Sequence, residues 1–512
     1  MPAAESIRRV LARRGRASGL LAAIALALSA CQGWATPPTG VTSTGATLHA
    51  QVSCTAQTTN NPCTVWFQYW QDGSTSVLST SPSTANVDSQ GLVDFNQTIG
   101  GLAANTLYRA QVCGYGDDVA QPGVCVGQPG GAVSAPGSQP DAGDFSATQR
   151  FRTAGPGTVA TADIGRPLSA ADTSQNPISR DAGLSAAYSS SNSLWLFGDT
   201  GQKNGPAFLG GTTAAAGPYT RGLAPTALQE LPTPPAAPTP GRGSPALLLP
   251  TPQGLLTPDN PPVACGSAGS DSYAPAWPSG LAQVPGTSHV LIVYAQVCVA
   301  IGRDWPTERL TLVEYDPATN SFVSSRTPFV ASPLQAGIPL AQRLSSPVFG
   351  ADGFLYLFGG DMATARVFVA RVAANASAWG SSTNYQWWGV PGGGPAQWTT
   401  DQSSVTSLIS GVTPWSVHVA DYASTGSHHL GMIVQTQFGT GDFQVFQASS
   451  PTGPWTAGPA GRVPDACTGG GFGCYALSGH AELSTGDRFV LSWLSPGDRD
   501  GFGHIRVGTV AW

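Results

Sequence analysis

Short apolar runs of four to six residues recur along the whole chain, separated by clusters of Gly, Pro, Ser, Asn and Asp, and long stretches of helical periodicity are nearly absent. Runs of that length, bounded by turn-forming residues, predict β-strands and an all-β fold. Between residues 40 and 153 the runs 47–52, 65–70, 108–112 and 149–153 suit half-buried strands, a spacing that predicts a small β-sandwich. Residues 154–168, rich in Gly, Pro and Ala, read as a linker. Residues 231–250, rich in Pro, Thr and Ala, read as a long loop inside a second, larger domain.

That larger domain, 169–512, carries an internal repeat. Leu194-Trp195-Leu196-Phe197-Gly198-Asp199 is echoed by Leu355-Tyr356-Leu357-Phe358-Gly359-Gly360-Asp361, with looser copies at 289–294, 429–434 and 488–493. Each copy follows a candidate innermost strand, beginning near Asp181, Tyr273, Ser346, Val417 and Gly479, and outer-strand signals lie at 312–317, 367–372 and 443–447. The pattern predicts a five-bladed β-propeller. Blades converge on an axis, so the starts of the innermost strands would surround a central pocket.

Composition narrows the partners. The chain has 512 residues, a net charge of -6 and only 10% charged residues, with Lys203 as its sole lysine. No basic stripe is available to neutralise phosphates, which excludes nucleic acid as an expected partner. The first thirty residues place Arg8, Arg9, Arg13, Arg14 and Arg16 ahead of an apolar run, 20–28, that is too short to span a membrane. That order is the order of a secretory signal. Its end, Leu28-Ser29-Ala30-Cys31, resembles the bacterial lipobox, which implies cleavage before Cys31, lipid on its thiol and a tether over 31–39. Export to the cell envelope follows, at the outer membrane or cell surface, with the membrane reached through the lipid anchor. Setting Cys31 aside leaves eight of the nine cysteines, an even number that suits an oxidising compartment. Eight cysteines allow 105 connectivities. The simplest joins sequence neighbours: Cys54 with Cys63, Cys113 with Cys125, Cys265 with Cys298, and Cys467 with Cys474.

Two further resemblances concern the domains. The stretch Leu102-Ala103-Ala104-Asn105-Thr106-Leu107-Tyr108 resembles the tyrosine corner of fibronectin type III sandwiches, which implies Trp66 as the core aromatic of the first domain. Ser179-Arg180-Asp181-Ala182-Gly183-Leu184-Ser185, followed by Ser193 to Thr200, resembles the opening of a propeller family long catalogued as a domain of unknown function, which includes endo-acting D-arabinanases and shares its architecture with five-bladed arabinanases and xylosidases. Ser450-Pro451-Thr452-Gly453-Pro454-Trp455 and Ala481-Glu482-Leu483 resemble elements of the same propellers.

That likeness implies Asp181 and Asp199 as catalytic carboxylates with Arg180 beside them. Glycosidic bonds are usually hydrolysed by two carboxyl groups, one protonating the leaving oxygen and the other attacking or activating water. Asp199 reads equally as a turn residue, a reading that its echo Asp361 strengthens. His418 and His480 would enter the channel, Glu482 is the reserve acid on the His480 face, and Trp277 is a candidate for substrate contact together with Asp361. The exposed-aromatic reading of Trp387, Trp388 and Trp398 stands level with one in which they cover the outside of a blade; Tyr273, Trp277 and Trp415 share that ambiguity. No cofactor or metal site is implied, and a structural cation in the channel is compatible with the histidines. The expectation is a monomeric, envelope-anchored glycoside hydrolase acting on an arabinofuranose-containing or related polysaccharide; a non-catalytic propeller binding glycan or envelope protein is the alternative.

Overall fold

The computed structural model describes residues 32–53, 63–85, 92–115, 124–125, 148–173, 176–202, 208–234, 243–249, 272–273, 275–297, 299–300, 307–323, 329–331, 344–379, 381–422, 430–467, 472–496 and 503–511. The signal, Cys31, Cys54, Cys265 and Cys298 lie outside them, as do the side chains of Cys63, Cys125 and Tyr273. The described residues are β-strands joined by turns, in two compact units that divide at Phe151/Arg152. Among them no helix is long and apolar enough to cross a membrane.

The first unit is a pair of antiparallel sheets. One orders Gln32–Thr39, Gly45–Ser53 and Leu92–Gly100; the other orders Gln149–Arg152, Leu107–Tyr115, Cys63–Gln71 and Leu78–Ser79. Strict alternation fixes the faces: Ala46, Leu48 and Ala50 on one sheet and Val65, Phe67, Ala110 and Val112 on the other are buried. Phe67 stacks on Phe95 across the sandwich, ring centroids 5.1 Å apart. Phe67 is thus the core aromatic where Trp66 was expected: Trp66 occupies the opposite pleat and is half-buried. The Tyr108 hydroxyl accepts a hydrogen bond from the Ala103 amide at 2.9 Å, closing the corner that the sequence predicts. Residues 32–39 are not a free tether but a strand paired to 45–53, which satisfies their backbone groups.

In the second unit each strand of the repeat becomes the second strand of its own antiparallel sheet. The sheets run Leu184–Ala187, Asn192–Phe197, Thr213–Pro218, Gln229–Glu230; then Ala276–Gln283, Val290–Val297, Thr307–Asp316, Ser321–Phe322; then Leu344–Phe349, Phe354–Asp361, Arg366–Ala373, Gln386–Gly389, Gln397–Thr399; then Ser416–Asp421, Leu430–Gln435, Asp442–Ala448, Thr456–Arg462. Near-continuous burial of the second strands, such as Leu194 to Phe197 and Val290 to Val293, follows from their being covered on both faces.

The last sheet takes three strands from the end of the chain, Tyr475–Gly479, Arg488–Pro496 and Gly503–Ala511, and its fourth from far upstream, Thr161–Gly165. That fourth strand lies in the stretch expected to be a linker; Ala162 and Ile164 are buried there, and the strand's backbone pairs with Val507 to Val510. Separate apolar cores sit between successive sheets. One joins Leu184, Leu194 and Leu196 to Val290 and Ile292, and another joins Ile164, Val490, Leu494 and Val507 to Trp195 and Phe197, so the last sheet packs back on the first. The arrangement is a propeller-like ring. The innermost strands approach closely: a Cβ on Gly280 would stand 2.6 Å from the Ser345 carbonyl oxygen, so only glycine fits.

Ring closure is reinforced by Asp163, which accepts from the Gly165 amide at 2.8 Å and from Arg506 Nε at 2.5 Å while 1% exposed. Asp163→Ala strands the Arg506 guanidinium, and the expected loss is about 3 kcal/mol. Denaturant unfolding followed by tryptophan fluorescence checks it; a loss below about 1 kcal/mol would show the closure to rest on strand pairing alone.

Candidate functional site

Ile178–Arg180 pairs with Thr200–Gln202 in a small accessory sheet, after which the chain crosses into the innermost strand Leu184–Ala187. Asp181 stands at that crossing. Its amide donates to the Asp199 carbonyl at 2.9 Å and its own carbonyl accepts from the Gly198 amide at 2.6 Å, which sets the two aspartates side by side. Ala182 follows with φ 48°, a left-handed conformation that costs a non-glycine residue about 1 kcal/mol. The same departure recurs at the start of the last sheet, where Ala476 has φ 56° beside Tyr475 and the ladder slips between Tyr475 and Ser478. Such irregularities re-aim side chains. Here they bring the Tyr475 hydroxyl into a hydrogen bond with the Asp181 carboxyl.

The two aspartates are held differently. Burial pushes the Asp181 carboxyl up to about 6; the Ala182 amide, 2.6 Å from Oδ1, and the Tyr475 hydroxyl oppose the rise, and the Asp199 charge adds to it. Asp199 is 5% exposed, and its Oδ1 accepts from the Gly211 amide and from Trp277 Nε1, each at 2.8 Å. Trp277, at the start of the innermost strand of the second sheet, is therefore drawn into the site by Asp199.

A second polar group joins the innermost strand of the first sheet to the residues after Gly479. Ser185 Oγ is 2.6 Å from His480 Nδ1 and also hydrogen-bonds Glu482. His480 is fully buried, stacks on Trp195 at 4.7 Å, and its Nε2 has no protein partner among the described residues. Burial, then the charge of His418, drives it well below the ordinary histidine range. His418 falls to about 4 through burial, and its Nδ1 accepts from the Gly479 amide at 3.1 Å. Both rings are neutral at neutral pH. Glu482 is pushed up to about 7 by burial, against its hydrogen bonds with Ser185 and its own amide and the charge of Arg221. A single hydroxyl proton cannot serve both of Ser185's partners. With Glu482 ionised, Ser185 donates to the carboxylate and His480 Nδ1 donates to Ser185; with Glu482 protonated, the direction reverses.

The remaining candidates separate from this axis. Arg180 does not brace either aspartate: it pairs with Glu230 on the outer strand of the first sheet and lies 4.1 Å over the Phe197 ring. Asp361 is the last residue of its strand, whereas Asp199 lies two residues beyond Phe197; Asp361 caps its own turn, accepting from the Ala363 amide at 3.2 Å and Thr364 Oγ1 at 2.6 Å. Trp387, Trp388 and Trp398 belong to the outermost strands of the third sheet; Trp387 is buried, and Trp388 and Trp398 pack edge to face at 5.3 Å. They cover the flank of the sheet. His480 and Glu482 share Ser185 although residues 481–483 form a turn rather than a continued strand. Ser185 and Tyr475 escaped the sequence reading. Ser185 lies inside the quoted motif, but its hydroxyl gains meaning only opposite His480, almost three hundred residues away. Cys467 and Cys474 are bonded, with Cα atoms 4.9 Å apart, and Cys113, also in a disulfide, stands opposite Cys125 in the strand register. Among the described residues no three His, Cys, Asp or Glu side chains converge as metal ligands.

No family model matches the sequence, and no curated protein matches it. Among solved structures, a provisionally named hydrolase from Bacteroides ovatus is 14% identical with a TM-score of 0.46, covering 69% of this chain and 90% of its own. Zg3597, a family 117 glycoside hydrolase of Zobellia galactanivorans, is 8% identical with a TM-score of 0.38, covering 68% and 89%. A protein of unknown function from Dyadobacter fermentans is 11% identical with a TM-score of 0.32, covering 79% and 91%. The reading of the site rests on its own geometry.

Because the folded state raises the Asp181 and Glu482 values, each stabilises the fold while protonated and loses that contribution as pH rises, from about 4 through 6 for Asp181 and through 7 for Glu482. Asp181→Asn is therefore expected to gain about 1–2 kcal/mol over wild type at pH 7.5 and little at pH 4. Thermal melts across that range check it; an equal effect at both ends overturns the titration.

Proposed function

We propose that the chain is an exported, lipid-anchored glycoside hydrolase, with a fibronectin type III-like sandwich followed by a five-bladed propeller whose axis holds the reaction centre. The observation that carries the reading is the unequal pair: a half-buried Asp181 whose carboxyl is raised to about 6, beside an Asp199 carboxyl that accepts two N–H donors. Two acids whose surroundings drive them apart can divide proton donation from charge stabilisation. Asp181 gives its proton to the glycosidic oxygen as the bond to the anomeric carbon breaks. Asp199 attacks that carbon itself or takes a proton from the water that does. Tyr475 and the Ala182 amide orient Asp181, and Trp277 and Gly211 fix Asp199. An arabinofuranose-containing or related envelope polysaccharide is the substrate class, on the resemblance of the Ser179 to Thr200 segment, and a monomer suffices because every group named comes from one chain.

The test is reducing-sugar release from a panel of arabinan, arabinoxylan and arabinogalactan. Wild type is expected to cleave at least one, with kcat/KM falling as pH rises above about 6. Asp181→Asn is expected to lose about a hundredfold or more and to abolish that limb. Activity untouched by Asp181→Asn overturns the assignment, and retardation of wild type in gels of these polymers without cleavage assigns a binding protein instead.

A further inference from the structure

Three aromatic rings, Trp415, Phe438 and Tyr475, form a continuous row that ends on Asp181, and a fourth, Phe472, packs against the last two of them. Trp415 precedes the innermost strand of the fourth sheet, Phe438 lies in the turn after Leu430–Gln435, Phe472 lies just before Cys474, and Tyr475 opens the innermost strand of the last sheet. Ring centroids are 4.7 Å apart for Trp415 and Phe438 and 5.1 Å for Phe438 and Tyr475, and Phe472 lies edge-on to both Phe438 at 6.3 Å and Tyr475 at 6.2 Å. Trp415, Phe438 and Phe472 are 43%, 36% and 47% exposed, and they make up three of the seven exposed large apolar side chains among the described residues. Apolar surface gathered in this way, where the rest is scattered, marks a binding face.

The row is built rigidly. Cys474 is tied by its disulfide to Cys467, its amide donates to the Gly439 carbonyl at 2.9 Å, and the Trp415 amide donates to the Gln435 carbonyl at 2.8 Å. Gln435 Nε2 in turn donates to the carbonyls of Gln437 at 3.1 Å and Cys474 at 3.3 Å. Gly439 has φ 79°, and a Cβ there would stand 3.0 Å from the Phe472 carbonyl oxygen, so the two turns meet only with glycine at that position. Rings held in place before binding lose little freedom when a ligand arrives.

We propose that Trp415, Phe438 and Phe472 form a stacking subsite for the sugar rings of a polysaccharide chain, holding it on one side of the bond presented to Asp181. The occupant follows from the two ends of the row: aromatic faces take the C–H faces of successive sugar rings, and the row runs without interruption through Tyr475 to a carboxyl group that acts on an oxygen between them. A lipid would use the rings and leave the carboxyl idle. The inference rests on the hydrolase reading for the role of Asp181, while binding to the row does not require cleavage.

The test is affinity electrophoresis in native gels containing linear arabinan, arabinoxylan or arabinogalactan. Wild type and Asp181→Asn are expected to be retarded alike by at least one polymer. The triple variant Trp415→Ala, Phe438→Ala, Phe472→Ala is expected to bind more weakly by about tenfold or more, with single Phe472→Ala intermediate and Leu223→Ala, exposed elsewhere, unchanged. On a polymer that wild type cleaves, the triple variant raises KM and leaves kcat within about twofold, since uniform binding is removed. Retardation of wild type by none of the three, or equal retardation of the triple variant, overturns the subsite. Retardation that depends on the row, with no cleavage by wild type, keeps the subsite and removes the hydrolase reading. Unchanged KM with retained cleavage does the opposite.

Discussion

The antiparallel pairing of Thr161–Gly165 with Gly503–Ala511 is the contact on which the axis depends. A ring of sheets places polar side chains opposite one another only if its last member packs on its first. That seam is made by Trp195 and Phe197 against Leu483, Val490 and Val507, with Ile164 contributed by the upstream strand. The Ser185 contacts to His480 and Glu482, and the Tyr475 contact to Asp181, all cross the same seam. These polar groups therefore sit where the chain's distant parts meet, and their geometry is only as good as the closure around them.

Much of the second unit was legible because its signals are local. Alternation, turn residues and the Leu-Trp-Leu-Phe-Gly-Asp echo are properties of six to ten neighbouring residues, and each repeated strand does become the second strand of a sheet. What could not be read is the set of contacts between residues far apart in sequence. The strand Thr161–Gly165 looked like linker because Gly165 and Pro167 are turn residues and nothing nearby announces its partner at Val507 to Val510. In the sandwich, a one-residue ambiguity of phase exchanged Trp66 for Phe67, since a strand rich in aromatics on both pleats does not declare which faces inward.

At the site the division is similar. The Ser179 to Thr200 motif carried Asp181 and Asp199 together because the two meet through backbone bonds within twenty residues. Arg180 was placed beside them by adjacency alone, but successive residues of an extended segment point to opposite faces, and its guanidinium found Glu230 instead. The echo between Asp199 and Asp361 was real as a position and misleading as a role. Asp361, still within its strand, caps its own turn, while Asp199, two residues past the end of its strand, meets Trp277 and Gly211.

The distribution of charge explains why titration concentrates at the axis. Only 10% of the residues are charged, and arginines pair with carboxylates in the body of the sheets: Arg506 with Asp163, Arg166 with Asp172 and Arg180 with Glu230. Asp181 is held instead by hydroxyl and amide donors, and Glu482 by the Ser185 hydroxyl and its own amide with only the more distant charge of Arg221 to help, facing a histidine that burial keeps neutral. Neutral donors offset only part of the cost of burying a negative charge, so both carboxyls keep their protons to higher pH than an ion-paired acid would. A structural role would have been served better by an arginine at either position. Both carboxyls therefore titrate above the ordinary carboxylate range, Asp181 to about 6 and Glu482 to about 7, where the seam joins the first sheet to the last.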